Sequence, residues 1–415
     1  MDRLRRKLLL AACGAALTAA TLVAAATPAG AATTTGREPG SLPDTALRAT
    51  LHKITEAGLP GVFAEVRDGN DTWRGASGVA DIDTNRPMRP DFQHRVGSIT
   101  KTFVATALLQ LVGERRVALD APVGRYLPDF AVDGVTVRML LSHTSGIGSY
   151  DRVLFTTGED AERHRYTSFD PRELARIGLG MPRTGAPGAQ WSYSNTNYIL
   201  AGLVLEEVTG QPAAQEITRR IIRPLGLRQT YFPGPTTRIT GPHAKAYLPW
   251  YDGSLRDFSR YHMSWAWTAG ELVSSTADLD RFYRALLGGR LLRPAELTHM
   301  RATVPMDPAN PARGGYGLGL YWLASPCGPA WGHDGQVFGH STISLHSPDG
   351  RRQVTVAQNL THYQVPGQPD PIGAATTEFL LTGLCGPIAA PAAAERLGAA
   401  LGQLAATPPP GGLTL

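Results

Sequence analysis

Val96-Gly97-Ser98-Ile99-Thr100-Lys101 is the stretch on which the reading of this chain turns. Val104, Ala105, Ala107, Leu108, Leu111 and Val112 follow at spacings that predict a helix beginning near Ser98, with one apolar face. On a helix, positions i and i+3 share a face, so Lys101 lies one turn from Ser98. A serine hydroxyl is a poor nucleophile until a base takes its proton. Lysine can be that base when burial or nearby positive charge lowers its pKa. The plain alternative is an N-cap serine followed by a solvated lysine. Lysine usage favours the chemical reading. Lys7, Lys53, Lys101 and Lys245 are the only lysines in an arginine-rich chain, and only Lys101 has a serine three residues before it.

Two further segments carry suitable groups. In Tyr193-Ser194-Asn195, a tyrosine hydroxyl near a lysine can pass protons between the serine and a leaving amine. Asn195 can donate to a substrate carbonyl and accept from Lys101. The same residues could simply form a polar loop, with Asn195 capping a helix over Thr196–Val208. In His333-Asp334-Gly335, the glycine allows close backbone approach, and His333 could supply positive charge or a hydrogen bond. The Gln336 N–H could then pair with the Ser98 N–H as an oxyanion hole. The alternative here is a β-turn, since Asp-Gly is a common turn pair.

Outward from these segments, the chain reads as α+β. Leu47, Leu51 and Ile54 mark a helix ended by Gly58 and Pro60. Strands are expected over Val62–Val66 and Thr72–Val79, joined at Asp68-Gly69-Asn70-Asp71. Further strands are expected over Tyr316–Trp322, Phe338–His346 and Gln353–Gln358, with Pro348-Asp349-Gly350 turning between the last two. Thr376–Leu384 reads as a closing helix. The plan is an antiparallel sheet flanked by helices, built from 42–115 and 270–388, with a mainly helical insert over 116–269. Residues 32–41 read as a flexible leader, and 389–415 as an Ala- and Pro-rich tail that is peripheral or disordered.

Composition excludes several classes. Apolar residues make up 42% and charged residues 18% of 415, which is ordinary for a globular chain. The net charge is +5, of which +3 lies in residues 1–31. No basic stripe for nucleic acid remains. Arg3 to Lys7, the apolar run Leu8–Ala26 and Ala29-Gly30-Ala31 read as a secretory signal cut after Ala31. A retained anchor or lipidation at Cys13 is the alternative. After cleavage the chain is expected to be secreted, with no stable membrane span, and a monomer is expected. Cys327 and Cys385 remain, and an oxidising destination allows them to pair. Neither Gly-x-Ser-x-Gly nor His-Glu-x-x-His is present, which argues against an α/β-hydrolase or a zinc hydrolase.

The three segments occur in order, about 95 and 140 residues apart. The combination resembles the serine β-lactamase and penicillin-binding superfamily, and within it the secreted D-alanyl-D-alanine carboxypeptidases of the class-C-like branch. Leu140-Leu141-Ser142-His143-Thr144-Ser145-Gly146-Ile147, Ser264–Gly270 and Gly317-Leu318-Gly319-Leu320 are similar to family segments. The resemblance implies a β-lactamase/transpeptidase fold, a structural His143, and Trp265 near the cleft. It implies an acyl-enzyme on Ser98, served by Lys101 and Tyr193, with no cofactor and no metal. It implies a small peptide or β-lactam substrate bound by Asn195, Trp265, His333, Gly335 and Gln336. Carboxypeptidase-like members hold a terminal carboxylate with an arginine and a hydroxyl residue where this chain has Tyr321 and Gln336. Esterase, D-amino-acid amidase, β-lactamase and a non-catalytic penicillin-binding sensor are the alternatives on this fold.

Overall fold

The computed structural model describes residues 42–361, 368–387 and 397–401. The expected signal segment, the leader and most of the tail lie outside the described residues. Strand β1 (Gly61–Asp68) turns at Gly69, with φ +63°, into β2 (Asp71–Asp81). The first six residues of β1 are all buried, so it reads as a continuous apolar run, because both faces of the sheet are covered there. The other strands of the large sheet are β3 (Arg86–Pro87), β4 (Val304–Pro305), β5 (Gly314–Tyr316), β6 (Tyr321–Ser325), β7 (Gly328–Val337), β8 (His340–His346) and β9 (Arg352–Gln358). They form one antiparallel sheet in the order β3-β2-β1-β9-β8-β7-β6-β5-β4. The two halves of the sequence meet where β1 pairs with β9, Ala64 opposite Val356.

Helices α1 (Asp44–Glu56) and α5 (Pro371–Cys385) cover one face. Leu47, Leu51 and Ile54 of α1 and Phe379, Leu380 and Leu384 of α5 share a core with Val66, Val354 and Val356. Helix α4 (Thr276–Leu287) covers the other face, where Tyr283 stacks on His346 at 4.4 Å. Cys327 and Cys385 are disulfide-bonded, Cα atoms 5.4 Å apart, tying the β6–β7 hairpin to the end of α5. No described helix is long and apolar enough to cross a membrane.

Helix α2 (Thr100–Gly113) departs from the expected single apolar face. It is buried nearly all round, between α3 (Asn195–Thr209), α4 and the 140–141 segment, in one core that runs through the helical insert. Phe103 stacks on Phe282 of α4 at 3.7 Å. Its threonines tolerate burial because they bond to carbonyls: Thr100 to Gly97, Thr102 to Gly319 and Thr106 to Thr102, each at 2.7 Å.

Other expectations are corrected. The strand expected over Tyr316–Trp322 is two strands, β5 and β6, broken by the turn Gly317-Leu318-Gly319-Leu320 that docks on α2. Gly319 has φ +69°, and a Cβ there would lie 2.6 Å from the Ala105 Cβ, so only glycine fits. The insert, read without strands, holds the short pair Tyr247–Pro249 and Leu255–Asp257. Residues 397–401 of the presumed peripheral tail are helical, and Leu397 and Ala400 join the core under α1 and α5.

Candidate active site

Ser98 lies in a 3₁₀ turn, Gly97–Ile99, that feeds directly into α2. Gly97 has φ +54°, and a Cβ on it would come within 2.6 Å of the Gln336 nitrogen. The turn therefore presses backbone to backbone against β7. Lys101 occupies the first turn of α2 and is fully buried. Its Nζ lies 2.9 Å from Ser98 Oγ, 2.8 Å from Asn195 Oδ1 and 2.7 Å from the Ala269 carbonyl oxygen. Burial pushes its pKa from 10.5 down to about 7, against the opposing pull of Asp151 and Asp334.

Tyr193 and Asn195 come in at the start of α3. Asn195 is the first residue of that helix and not its cap; Ser194 holds the cap position and makes no side-chain cap bond. The Asn195 N–H donates to Ser149 Oγ at 2.8 Å, leaving its side chain turned to Lys101. Lys101 Nζ sits 4.9 Å from the Tyr193 ring centre, and the Tyr193 phenol adjoins the Ser98 hydroxyl. Burial raises the Tyr193 phenol well above its usual range, so it rests as a neutral proton carrier. His143, implied to be structural, packs its ring 4.2 Å from that of Tyr193. Its Nδ1 accepts from the Ser194 N–H at 3.2 Å, and burial keeps it uncharged. Two of the non-glycine residues with positive φ, His143 at +57° and Trp267 at +33°, lie beside this site; Trp267 opens the short helix that presents the Ala269 carbonyl.

His333-Asp334-Gly335 lies inside strand β7 and not in a turn. A Cβ on Gly335 would stand 2.0 Å from the Val96 carbonyl oxygen and 2.6 Å from the Ser98 nitrogen. Gly97 and Gly335 together let the amides of Ser98 and Gln336 approach one another. Of the two roles open to His333, the structure supports the hydrogen bond. Burial takes its pKa down to about 3, so it carries no positive charge near neutrality. Its Nε2 lies 2.8 Å from the Tyr316 hydroxyl. The Gln336 side chain donates to Ser341 Oγ at 3.3 Å.

Trp265 is half-buried in an aromatic cluster. Its ring lies 5.0 Å from that of Phe155 and 5.1 Å from that of Phe338. Tyr150 donates its hydroxyl to the Trp265 carbonyl. Each of the three aromatics adjoins one part of the site in sequence. Phe155 follows the Ser149–Asp151 segment, Trp265 precedes Ala269, and Phe338 follows Gln336. Sequence reasoning found Trp265 but missed Phe155, Phe338, Tyr316 and the Ala269 carbonyl. The last is a backbone atom and leaves no residue signature.

Fold and site together define a serine hydrolase of the β-lactamase fold. The Beta-lactamase family matches residues 44–377, and the chain belongs to it. A D-stereospecific amidohydrolase from Streptomyces sp. is 36% identical, with a TM-score of 0.75 over 83% of this chain and 99% of its own. The D-amino acid amidase of Ochrobactrum anthropi SV3, solved with D-phenylalanine, is 27% identical with a TM-score of 0.70 over 81% of this chain and 97% of its own. Esterase EstB of Burkholderia gladioli is 37% identical over 235 residues, 51% of this chain; the match spans 57% of the esterase's length.

Proposed function

We propose that this protein hydrolyses amides of D-configured residues through an acyl-enzyme on Ser98. The observation that carries the acyl-enzyme reading is the set of partners around Lys101 Nζ. Two of them, Asn195 Oδ1 and the Ala269 carbonyl, can only accept. The third, Ser98, is a hydroxyl that can donate. A neutral amine has two N–H groups and one lone pair, so it satisfies all three at once and holds the Ser98 proton in line for removal. Lys101 takes that proton as Ser98 attacks the substrate carbonyl. The N–H groups of Ser98 and Gln336 stabilise the oxyanion. The proton reaches the leaving amine through Tyr193, and water then releases the acyl group.

The D-alanyl-D-alanine carboxypeptidase expectation needs a partner for a terminal carboxylate. Tyr321 and Gln336 are neutral side chains, and His333 is held uncharged. An amide fits this surface better, and the Phe155–Trp265–Phe338 cluster suits a large apolar side chain. The amidohydrolase and amidase similarities support this reading. The similarity to esterase EstB supports esters of the same residues as second substrates. Residues 1–31 then direct export, consistent with the Cys327–Cys385 disulfide.

The test is ammonia release from D- and L-phenylalanine amide, beside D-alanine release from a peptide ending in D-Ala-D-Ala. The expected result is turnover of the D-amide, with much less of the L-amide. Efficient D-alanine release with no amide turnover would restore the carboxypeptidase reading.

A further inference from the structure

Contacts on both ring nitrogens of His333 set the charge of the His333-Asp334-Gly335 segment. His333 Nδ1 lies 2.5 Å from the Asp334 carbonyl oxygen, which can only accept. Nδ1 therefore carries the ring proton. Nε2 is left as an acceptor, and the Tyr316 O–H donates to it at 2.8 Å. Tyr316 comes from β5, two strands away from β7, so the lock is tertiary. With both nitrogens engaged and water excluded, the imidazole is fixed as neutral. The next residue is a carboxylic acid whose side chain remains 25% exposed. It interacts with Lys101 on α2 and precedes Gly335, whose backbone abuts Ser98. The segment thus presents a negative charge and no positive one.

We propose that this segment is a charge filter: Tyr316 fixes His333 as a neutral imidazole, and the Asp334 carboxylate turns away substrates with a carboxylate on the leaving-group side of the scissile bond. Neutral amides and esters pass. The filter rests on acylation at Ser98, not on D-selectivity. Tyr316 acts here as a positioning residue, through His333.

The groups around Asp334 are few. Tyr193 from the start of α3, Tyr283 from α4, and Tyr316 and Tyr321 from β5 and β6 are all pushed above the ordinary tyrosine range, so they stay uncharged. His333 is neutral, and Lys101 becomes a cation only as pH falls through about 7. Asp151 also acts on Lys101 and Tyr193. Burial raises Asp334 to about 6, so its charge is present above that pH and fades below it. kcat/KM counts only enzyme with Lys101 neutral, for any substrate. A ratio of two substrates therefore isolates Asp334.

The test compares phenyl acetate with 4-carboxyphenyl acetate, each rate divided by its hydroxide-catalysed rate. At pH 8 the neutral ester is expected to be favoured by about ten- to thirtyfold, the size of a like-charge contact in a partly screened site. The preference should shrink as pH falls through about 6. Asp334→Asn, or Asp334→Thr if that variant folds poorly, should abolish both the preference and its pH dependence. In Tyr316→Phe, the His333 Nε2 loses its donor, and a pH-dependent gain in the carboxylate ester should appear. A wild-type ratio near one, or a ratio unmoved by replacing Asp334, overturns the filter. The esters report on it even if neither D-amide nor L-amide is hydrolysed, which would overturn only the amidase reading.

Discussion

Two lysines of this chain occupy opposite environments. Lys101 is buried beneath Ser98, with two neutral acceptors and a hydroxyl around it, and its pKa falls to about 7. Lys245 lies at the far edge of the sheet, partly exposed, 2.7 Å from Asp83 and 3.0 Å from Asp81, and its pKa is raised. The side chain is the same. What differs is that the carboxylates near Lys101 act only at a distance, while those near Lys245 touch it. Desolvation without a contacting counter-charge makes a base; a contacting counter-charge makes a permanent cation.

The sharpest way to break the contrast is to remove each amine. Lys101→Met should lower kcat/KM by on the order of 10³-fold, measured on whichever ester or amide turns over best. Lys245→Met should change kcat/KM less than about twofold and stability by about 1 kcal/mol or less, as for other exposed ion pairs. A large activity loss in Lys245→Met would mean that the distinction drawn here is wrong.

Next in size is the pH dependence. The neutral amine is the active form, so kcat/KM should fall about tenfold per pH unit below about 7 and level off above it. The folded value lies below the unfolded one. Linkage therefore makes this group's contribution to stability rise from about pH 7 toward 10, and fall as pH drops back through 7. Denaturant titrations across that range check the sign. A rate profile flat from pH 5 to 9 would remove Lys101 as the base.

A smaller, directional test converts the Lys101 site toward that of Lys245. Asn195→Asp places a carboxylate where a neutral oxygen now sits 2.8 Å from Nζ. The acidic limb should move up by about one pH unit or more, with the plateau rate reduced. A shift downward would contradict the assignment.

Much of this was legible in the sequence, and the reasons are local. Glycine turns at Gly69 and Gly350 and apolar strand runs marked β1, β2, β8 and β9, because strand period and turn chemistry are written in adjacent residues. Ser98 and Lys101 stood out by spacing and by the scarcity of lysine, whereas Tyr193 and Asn195 gained their roles only when the three segments were taken together as a family resemblance. What escaped was tertiary. The turn at Gly317–Leu320 exists because α2 needs a glycine against Ala105, which no strand pattern announces. The burial of α2 on every side depends on threonines bonding to carbonyls from other elements. The neutral state of His333 follows from burial among other elements, Tyr316 among them, seventeen residues earlier and on another strand. Charge state is a property of surroundings, so a histidine in a motif does not say whether it is a cation.

The central claim is that Ser98 carries the acyl group. The direct measurement is mass spectrometry of protein quenched in acid during turnover of a slow ester, followed by peptide mapping. One added acyl mass on the peptide containing Ser98, absent in Ser98→Ala, is the result this account requires. An adduct on another residue, or undiminished turnover by Ser98→Ala, would contradict it.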